Sequence, residues 1–259
     1  MDLGIRGRSA IVCASSQGLG KACARALAEA GVSLVINGRN RELLEQSAAE
    51  IREATGAEVT PVVGDVSAAD VQAALLKVCP TPDILINNNG GPPYRDFRQL
   101  DREAILDGVT MNMVTPIELI QKVIGPMSSN GFGRIVNITS MSVKMPIAGL
   151  DLSSAARAGL TAFLAGVARK FVDKNVTINN ILPGSFDTQR LRSGFTRTAK
   201  QTGKPEAEIA KERMAEIPAL RFGHPDEFGQ TCAFLCSVHA SYMTGQNIVL
   251  DGGVYPAAF

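Results

Sequence analysis

The chain has 259 residues, which fits one large α/β domain over residues 1–259, because open sheets flanked by helices often run past the usual domain size without splitting. Its 26 Lys and Arg nearly balance 25 Asp and Glu, and a net charge of +1 gives no footing to nucleic acid or an anionic membrane as the main partner; a small-molecule ligand fits better. No metal-ligand spacing occurs, and the charged N-terminus with only a short apolar run behind it leads us to expect neither a secretory signal nor a membrane span, hence a cytoplasmic protein.

In chain order, apolar stretches short enough for buried strands alternate with stretches of helical period. The first strand is expected over Ser9 to Cys13 and the first helix over Gly18 to Ala30. Then come Ser33 to Ile36 and Arg41 to Thr55, and after them Glu58 to Val63 and Ala68 to Val78. A strand at Asp83 to Asn87 precedes one long helix, Asp101 to Pro126; a strand at Gly133 to Thr139 precedes a helix at Ser153 to Asp173. Strand Thr177 to Leu182, helix Pro225 to Ser237 and strand Asn247 to Leu250 complete the series. Continuous apolar runs suit parallel strands covered on both faces, and strict β/α alternation predicts a doubly wound, Rossmann-type parallel sheet with right-handed crossovers.

One segment breaks the alternation: Phe186 to Arg221 (residues 186–221) is long, polar and helix-prone, and reads as a functional lid. The five cysteines, Cys13, Cys23, Cys79, Cys232 and Cys236, lack C-x-x-C spacing and read as reduced, mostly buried thiols, with Cys232 and Cys236 four apart on a core-facing helix. Small residues within Arg157 to Val167 suit close packing of a helix on the sheet, a subunit contact being the alternative. His224, in a Gly-His-Pro turn, and His239, near a helix end, read as capping or exposed residues.

The first strand runs through Cys13-Ala14-Ser15-Ser16-Gln17-Gly18-Leu19-Gly20 straight into a helix, a layout that aims free N–H groups and the positive dipole end at a pyrophosphate. Gly18 and Gly20 permit the tight turn and close backbone approach. This stretch resembles the Thr-Gly-x-x-x-Gly-x-Gly loop of the short-chain dehydrogenase/reductases, with Cys13 in place of Thr and Ala14 in place of the first Gly, so a slightly reshaped loop is expected. The resemblance extends along nearly the whole chain, through Gly64-Asp65-Val66, Asn87-Asn88-Asn89-Gly90, Asn112, Ile135 to Ser140, Pro183-Gly184, Gly223-His224-Pro225 and Asp251-Gly252-Gly253. It implies a nicotinamide dinucleotide, with Asp65 and Val66 at the adenine, Asn89 and Gly90 on the ribose side, and the loop carrying Pro183, Gly184, Phe186 and Thr188 over the nicotinamide.

Where NAD-preferring relatives carry an acid for the ribose hydroxyls, this chain has Gly38, followed by Arg39. A planar guanidinium suits a 2′-phosphate, with Ser15, Ser16 and Asn40 near, so NADP(H) is expected in preference to NAD(H); a solvated loop arginine is the alternative.

The resemblance also implies a catalytic Ser and Asn at Ser140 and Asn112. The family's Tyr-x-x-x-Lys should begin 13 residues beyond Ser140, where the chain reads Ser153-Ser154-Ala155-Ala156-Arg157. Ala158-Gly159-Leu160 fixes the register, and no tyrosine lies between Tyr94 and Tyr242. Ser153 is a far weaker acid than a phenol, while Arg157 keeps the positive charge but cannot cycle its proton. Lys144 is the first candidate for a substitute proton donor, ahead of Asp151 and Tyr94, each of which is equally readable as a solvated loop residue.

The lid carries Arg190, Arg192, Arg197, Lys200 and Lys204 with no acid among them. This is either a solvated helical face or an attractor for an anionic substrate such as an acyl thioester on a phosphorylated carrier, in keeping with a similarity to 3-oxoacyl carrier-protein reductases. Two functions stay open: an NADP(H)-dependent oxidoreductase acting on a small carbonyl or alcohol substrate, or an NADP(H)-binding sensor or scaffold without turnover. The family resemblance further implies a homo-oligomer, tetramer or dimer.

Overall fold

The computed structural model describes residues 1–92 and 94–257. Seven strands, β1 (Ser9–Val12), β2 (Ser33–Gly38), β3 (Val59–Val63), β4 (Ile84–Asn87), β5 (Gly133–Ile138), β6 (Val176–Pro183) and β7 (Asn247–Leu250), form one sheet in the order β3-β2-β1-β4-β5-β6-β7. Every neighbouring pair is parallel. The order reverses between β1 and β4, which opens a crevice at the carboxyl ends of those strands.

The period of two along each strand sorts the core into layers. Ala10 and Val12 of β1 and Ile84 and Ile86 of β4 join one apolar cluster with α1 (Gly18–Glu29), α2 (Arg41–Thr55) and α9 (Pro225–Cys236). Ile11 and Leu85 face the opposite cluster, with α3 (Ala69–Val78), α5 (Thr115–Ser129) and α6 (Asp151–Ala168). Helices α1 and α9 touch at the backbone: a Cβ on Gly229 would lie 2.4 Å from the Ala22 carbonyl oxygen. Cys232 and Cys236 both lie in this cluster, and all five cysteines are buried and reduced.

The long helix expected over Asp101 to Pro126 is not continuous. It divides into α4 (Arg102–Val109), a π turn over Thr110–Val114, and α5, which runs three residues past Pro126. A proline forfeits only its own N–H, so Asn130 still donates to the Pro126 carbonyl at 3.0 Å, and the helix ends before Gly131 at φ +64°. Helix α6 starts at Asp151, two residues earlier than expected, with that carboxylate in its positively polarised first turn, and stops at Ala168, short of Asp173. Asn175 at φ +56° then turns the chain into β6. The lid folds into α7 (Gln189–Thr202) and α8 (Glu206–Ala215), separated by Gly203 at φ +75° and Pro205.

One polar device crosses the sheet. Asn87, Asn137, Asn180 and Asn247 are register partners on β4, β5, β6 and β7. Each of the first three donates its side-chain amide to the carbonyl oxygen of the next, at 2.9, 3.0 and 2.8 Å. Among the described residues, no helix is long and apolar enough to cross a membrane.

Candidate active site

The turn between β1 and α1 carries the reshaping that Ala14 implies: it sits at φ +44°, a left-handed conformation that its Cβ disfavours. Gly18 opens α1 at φ +60°, and a Cβ on Gly20 would lie 2.4 Å from the Ala14 carbonyl, which the Asn88 amide also holds at 3.0 Å. Gln17 gives α1 no side-chain cap, and the first turn, including Leu19, holds no acid, so its N–H groups are left for an anion. An open cleft of about 380 Å³ lies here, lined by Gly18, Lys21, Thr188, Arg192 and His224 among others. The Cys13 thiol is buried beneath, and burial pushes its pKa up to about 12.

The residues around the expected 2′-phosphate divide. Ser15 is fully buried and its hydroxyl donates to the Val12 carbonyl at 2.7 Å, so it faces the core and not the cleft. Ser16 Oγ lies 3.1 Å from where a Gly38 Cβ would be, and Arg39 is exposed, 3.9 Å from Asp65 Oδ2. Asn40 caps α2 by accepting from the Leu43 amide at 3.0 Å. Partial burial works against ionisation of Asp65, but the Ser67 amide and hydroxyl, with Arg39, outweigh it and hold the carboxyl below its usual range. Val66 is buried in the lower apolar cluster.

At the catalytic end, the π turn places Asn112 inward, only 2 % exposed. Its amide donates to the Gly108 carbonyl at 3.3 Å, and its Oδ1 is buried without a partner among the described residues. An extra residue in a helical turn is a recurrent way of presenting such a group. Ser140 lies two residues beyond β5, and its hydroxyl accepts from the Ser142 amide at 3.1 Å. Ser153 and Arg157, one helical turn apart on α6, are 5 % and 8 % exposed.

Arg157 binds the region together. Its Nε donates to Ser153 Oγ at 3.2 Å, Nη1 to the Ile138 carbonyl at 2.7 Å and Nη2 to the Asn89 carbonyl at 3.4 Å, so it joins α6 to the ends of β5 and β4. All three acceptors are neutral. Burial, followed by the like charge of Arg190, brings its pKa down from 12.5 to about 10, which leaves it a cation at neutral pH. Asn89 also donates to the Met111 carbonyl at 3.0 Å, and a Cβ on Gly90 would meet nothing within 4 Å, so the space above it is open.

The remaining candidates scatter. The Lys144 ammonium lies 5.2 Å from the centre of the Tyr255 ring, toward the C-terminal segment. Asp151 is exposed, and Tyr94 packs its ring on Gly149 just before α6. The Gly184 amide donates to Leu250 at 2.8 Å, following Pro183 at the end of β6. The Phe186 ring is buried edge-on against Phe228, centroids 5.3 Å apart, so only its backbone can face a ligand, whereas the Thr188 methyl turns toward Gly18. His224 caps α9, with Nδ1 accepting from Asp226 at 3.3 Å and Glu227 reaching back to the His224 amide at 2.7 Å; His239 Nε2 bonds the Asp2 carbonyl at 2.8 Å. Both histidines are thus tied to backbone groups, as their positions in the sequence suggested.

Residues 13–255 match the family model described as Enoyl-(Acyl carrier protein) reductase, and the NADPH-dependent reductase BacG of Bacillus subtilis is 32% identical over 95% of this chain and 97% of its own. The chain belongs to the short-chain dehydrogenase/reductase family. It is also similar to the 3-oxoacyl-[acyl-carrier-protein] reductase FabG of Aquifex aeolicus, 29% identical over 98% of this chain and 100% of that one. The crystal structure of L-sorbose reductase from Gluconobacter frateurii, complexed with NADPH and L-sorbose, superposes with a TM-score of 0.94 at 26% identity, covering 99% of this chain and 100% of the other. The sequence reading missed the asparagine ladder, although an Asn in each of four strands was visible, and it did not single out Arg190 from its basic neighbours.

Proposed function

We propose that this family member binds NADP(H) in preference to NAD(H) and transfers hydride between that cofactor and a small carbonyl or alcohol substrate, in the manner of the 3-oxoacyl reductases, with Asn112, Ser140, Ser153 and Arg157 in the four tetrad positions. The observation that carries the reading is Arg157: a buried, uncompensated cation bridging the Asn89 and Ile138 carbonyls, at the position where the family holds a lysine against the cofactor ribose. The nicotinamide supplies the hydride when bound. Arg39, with Ser16 beside it, fits the 2′-phosphate, and the uncapped first turn of α1 fits the pyrophosphate. Ser140 polarises the substrate oxygen, Arg157 stabilises the negative charge that develops there, and the unpartnered Asn112 Oδ1 anchors a water that returns the proton, with Lys144 as its source.

A second reading, NADP(H) binding as a sensor or scaffold without turnover, draws on a different observation: Ser153 Oγ is engaged by Arg157 Nε, and no acidic group occupies the tyrosine position. Fluorescence titration with NADPH and NADH, followed by a screen of 3-oxoacyl thioesters, quinones and small ketones for NADPH oxidation, separates the two. Binding with turnover supports the oxidoreductase. Tight NADPH binding with no turnover across the panel favours the sensor, and failure to bind either nucleotide overturns both. If Lys144→Ala leaves turnover unchanged, the proton comes from elsewhere. Assembly as a homodimer or homotetramer and a cytoplasmic location belong to the same proposal.

A further inference from the structure

The five cations of the basic first half of the lid sort into three groups: two are paired, two pack against Gly91 and Tyr94, and Lys200 is exposed and takes part in no ion pair among the described residues. Arg192 is held by Asp187 through two hydrogen bonds of 2.9 Å, and Lys204 by Glu212 at 2.5 Å with Glu208 at 3.7 Å. These cations are already neutralised on the lid itself. Arg190 and Arg197 take part in no ion pair among the described residues, and both reach away from the lid. The Arg190 guanidinium lies over Gly91, with Nη2 2.8 Å from where a Cβ there would be, and Arg197 stacks on the Tyr94 ring at 4.9 Å from its centre. Desolvation lowers the pKa of Arg190, Tyr94 beside it opposes this, and Arg197 adds a smaller like-charge effect; Arg190 in turn acts as a like charge on Arg157, after desolvation there as well.

Three guanidinium groups therefore gather around Tyr94 and the Asn89 to Gly91 turn, with no carboxylate paired to any of them among the described residues. Gathering like charges in a partly dehydrated place is unfavourable unless a counter-ion arrives, and a planar fork matches a carboxylate through two parallel hydrogen bonds. The position narrows the choice. A bulky anionic carrier would be drawn by cations on the outer lid, where Arg192 and Lys204 are spent on Asp187, Glu208 and Glu212 and only the single charge of Lys200 is left over from the lid's first half. Arg190 and Arg197 are exposed, but they lie against Gly91 and the Tyr94 ring, and Arg190 is near enough to the buried Arg157 to act on its charge.

We propose that Arg190 and Arg197 form, with Tyr94 at its edge, a subsite for the carboxylate of a short oxo-acid substrate, held beside Arg157 so that the oxo group meets Ser140. This rests on the oxidoreductase reading for the reacting end, but the subsite itself does not require turnover. The same guanidinium chemistry could instead serve the cofactor phosphates, and the experiment separates the two sources.

Calorimetric titration of the protein with 2-oxohexanoate and with its neutral methyl ester, both with and without saturating NADPH, tests it. The acid is expected to bind roughly ten- to hundredfold more tightly than the ester, the range of one or two charge-assisted hydrogen bonds. Arg190→Gln should abolish that preference and Arg197→Gln reduce it, with NADPH affinity changed less than about twofold in either. Equal affinity for acid and ester, or no binding of the acid, overturns the proposal. So does an Arg190→Gln variant that loses NADPH affinity while keeping the preference, which would hand Arg190 to the cofactor. Loss of the preference in Arg192→Ala, with Arg190→Gln unaffected, would place the subsite on the outer lid and overturn it as well. A preference for the acid that persists in a protein unable to bind NADPH supports the subsite and removes the oxidoreductase reading alone.

Discussion

Ala14 occupies a place where its family pattern has glycine, and its φ of +44° sets a strain that a single methyl group causes. Replacing it with glycine relieves the Cβ clash, worth about 1–2 kcal/mol, and gives back about 0.5–1 kcal/mol in unfolded-state entropy. Ala14→Gly should therefore stabilise the protein by about 1 kcal/mol, a rise of roughly 2 °C in Tm for a domain of this size, measurable by thermal denaturation. Arg39 stands at the other end of the cofactor region, exposed and only loosely held by Asp65. Arg39→Ala should weaken NADPH binding by about tenfold or more and leave NADH binding within about twofold, since only the 2′-phosphate distinguishes them; equal losses for both nucleotides would show that the arginine is not the discriminating group. At this scale the sequence was informative about Ser153 and Arg157, because a fixed spacing to Ser140 located them. It was less so about Ser15 and Phe186. Their backbone neighbours sit in the right loop, but the hydroxyl of one and the ring of the other turn into the core, and side-chain direction in a turn does not follow from spacing.

Among elements, the strands were legible to within one or two residues, because seven short apolar runs of branched residues leave little else for the chain to do. The exception that matters is the stretch from Asp101 to Pro126, whose helical period concealed the π turn around Asn112. One extra residue shifts the face of a helix but does not change its composition, so periodicity over a window averages it away. The asparagine ladder escaped for a different reason: four polar residues in separate strands become a unit only when the register aligns them. Removing the second rung makes the dependence measurable. Asn137→Ala leaves the Asn180 oxygen buried and unpaired and the Asn87 amide with only a long 3.5 Å bond to the Pro116 carbonyl, so at about 1–3 kcal/mol for a fully stranded group the loss should be about 1–4 kcal/mol. Urea denaturation with an unchanged m-value and a lowered midpoint checks it; a loss below about 0.5 kcal/mol would mean that the rungs do not depend on one another.

For the whole molecule, the buried thiols set the response to alkali. Burial pushes Cys13 from 9.0 to about 12; the hydrogen bond that the Cys232 thiol donates to Cys23 raises Cys232, and burial raises Cys236. The unfolded chain loses these protons from about pH 9 while the folded chain keeps them, so their contribution to stability is complete below pH 9 and declines as pH rises toward about 12. Arg157 acts with the opposite sign. Its folded pKa of about 10 lies below the unfolded 12.5, so between those values the unfolded state binds the extra proton and rising pH favours the fold. Between about pH 9 and 10 the thiols act almost alone, and stability should fall by about 1 kcal/mol per thiol per pH unit as that window closes. In Cys13→Ala the slope of stability against pH should be shallower by one such share; an unchanged slope would place the alkaline sensitivity elsewhere. That the sheet is parallel and doubly wound could be read from alternation alone, whereas its strand order and this proton balance could not, the latter because it depends on which thiols the packing seals off.

The ladder also bears on how the sheet finds its pairing. If one of the strands β4 to β7 slides by a single residue, its side chains change faces and both apolar layers must repack. A slide by two residues requires neither: Ile, Val and Leu still meet Ile, Val and Leu, the layers still close, and the hydrophobic energy hardly changes. Such a slip would set Leu85 against Asn137, or Ile178 against Asn247, and strand an amide in the dry interior. The rungs thus work as alignment marks, penalising the misregistered sheets that hydrophobic contact alone would accept during folding.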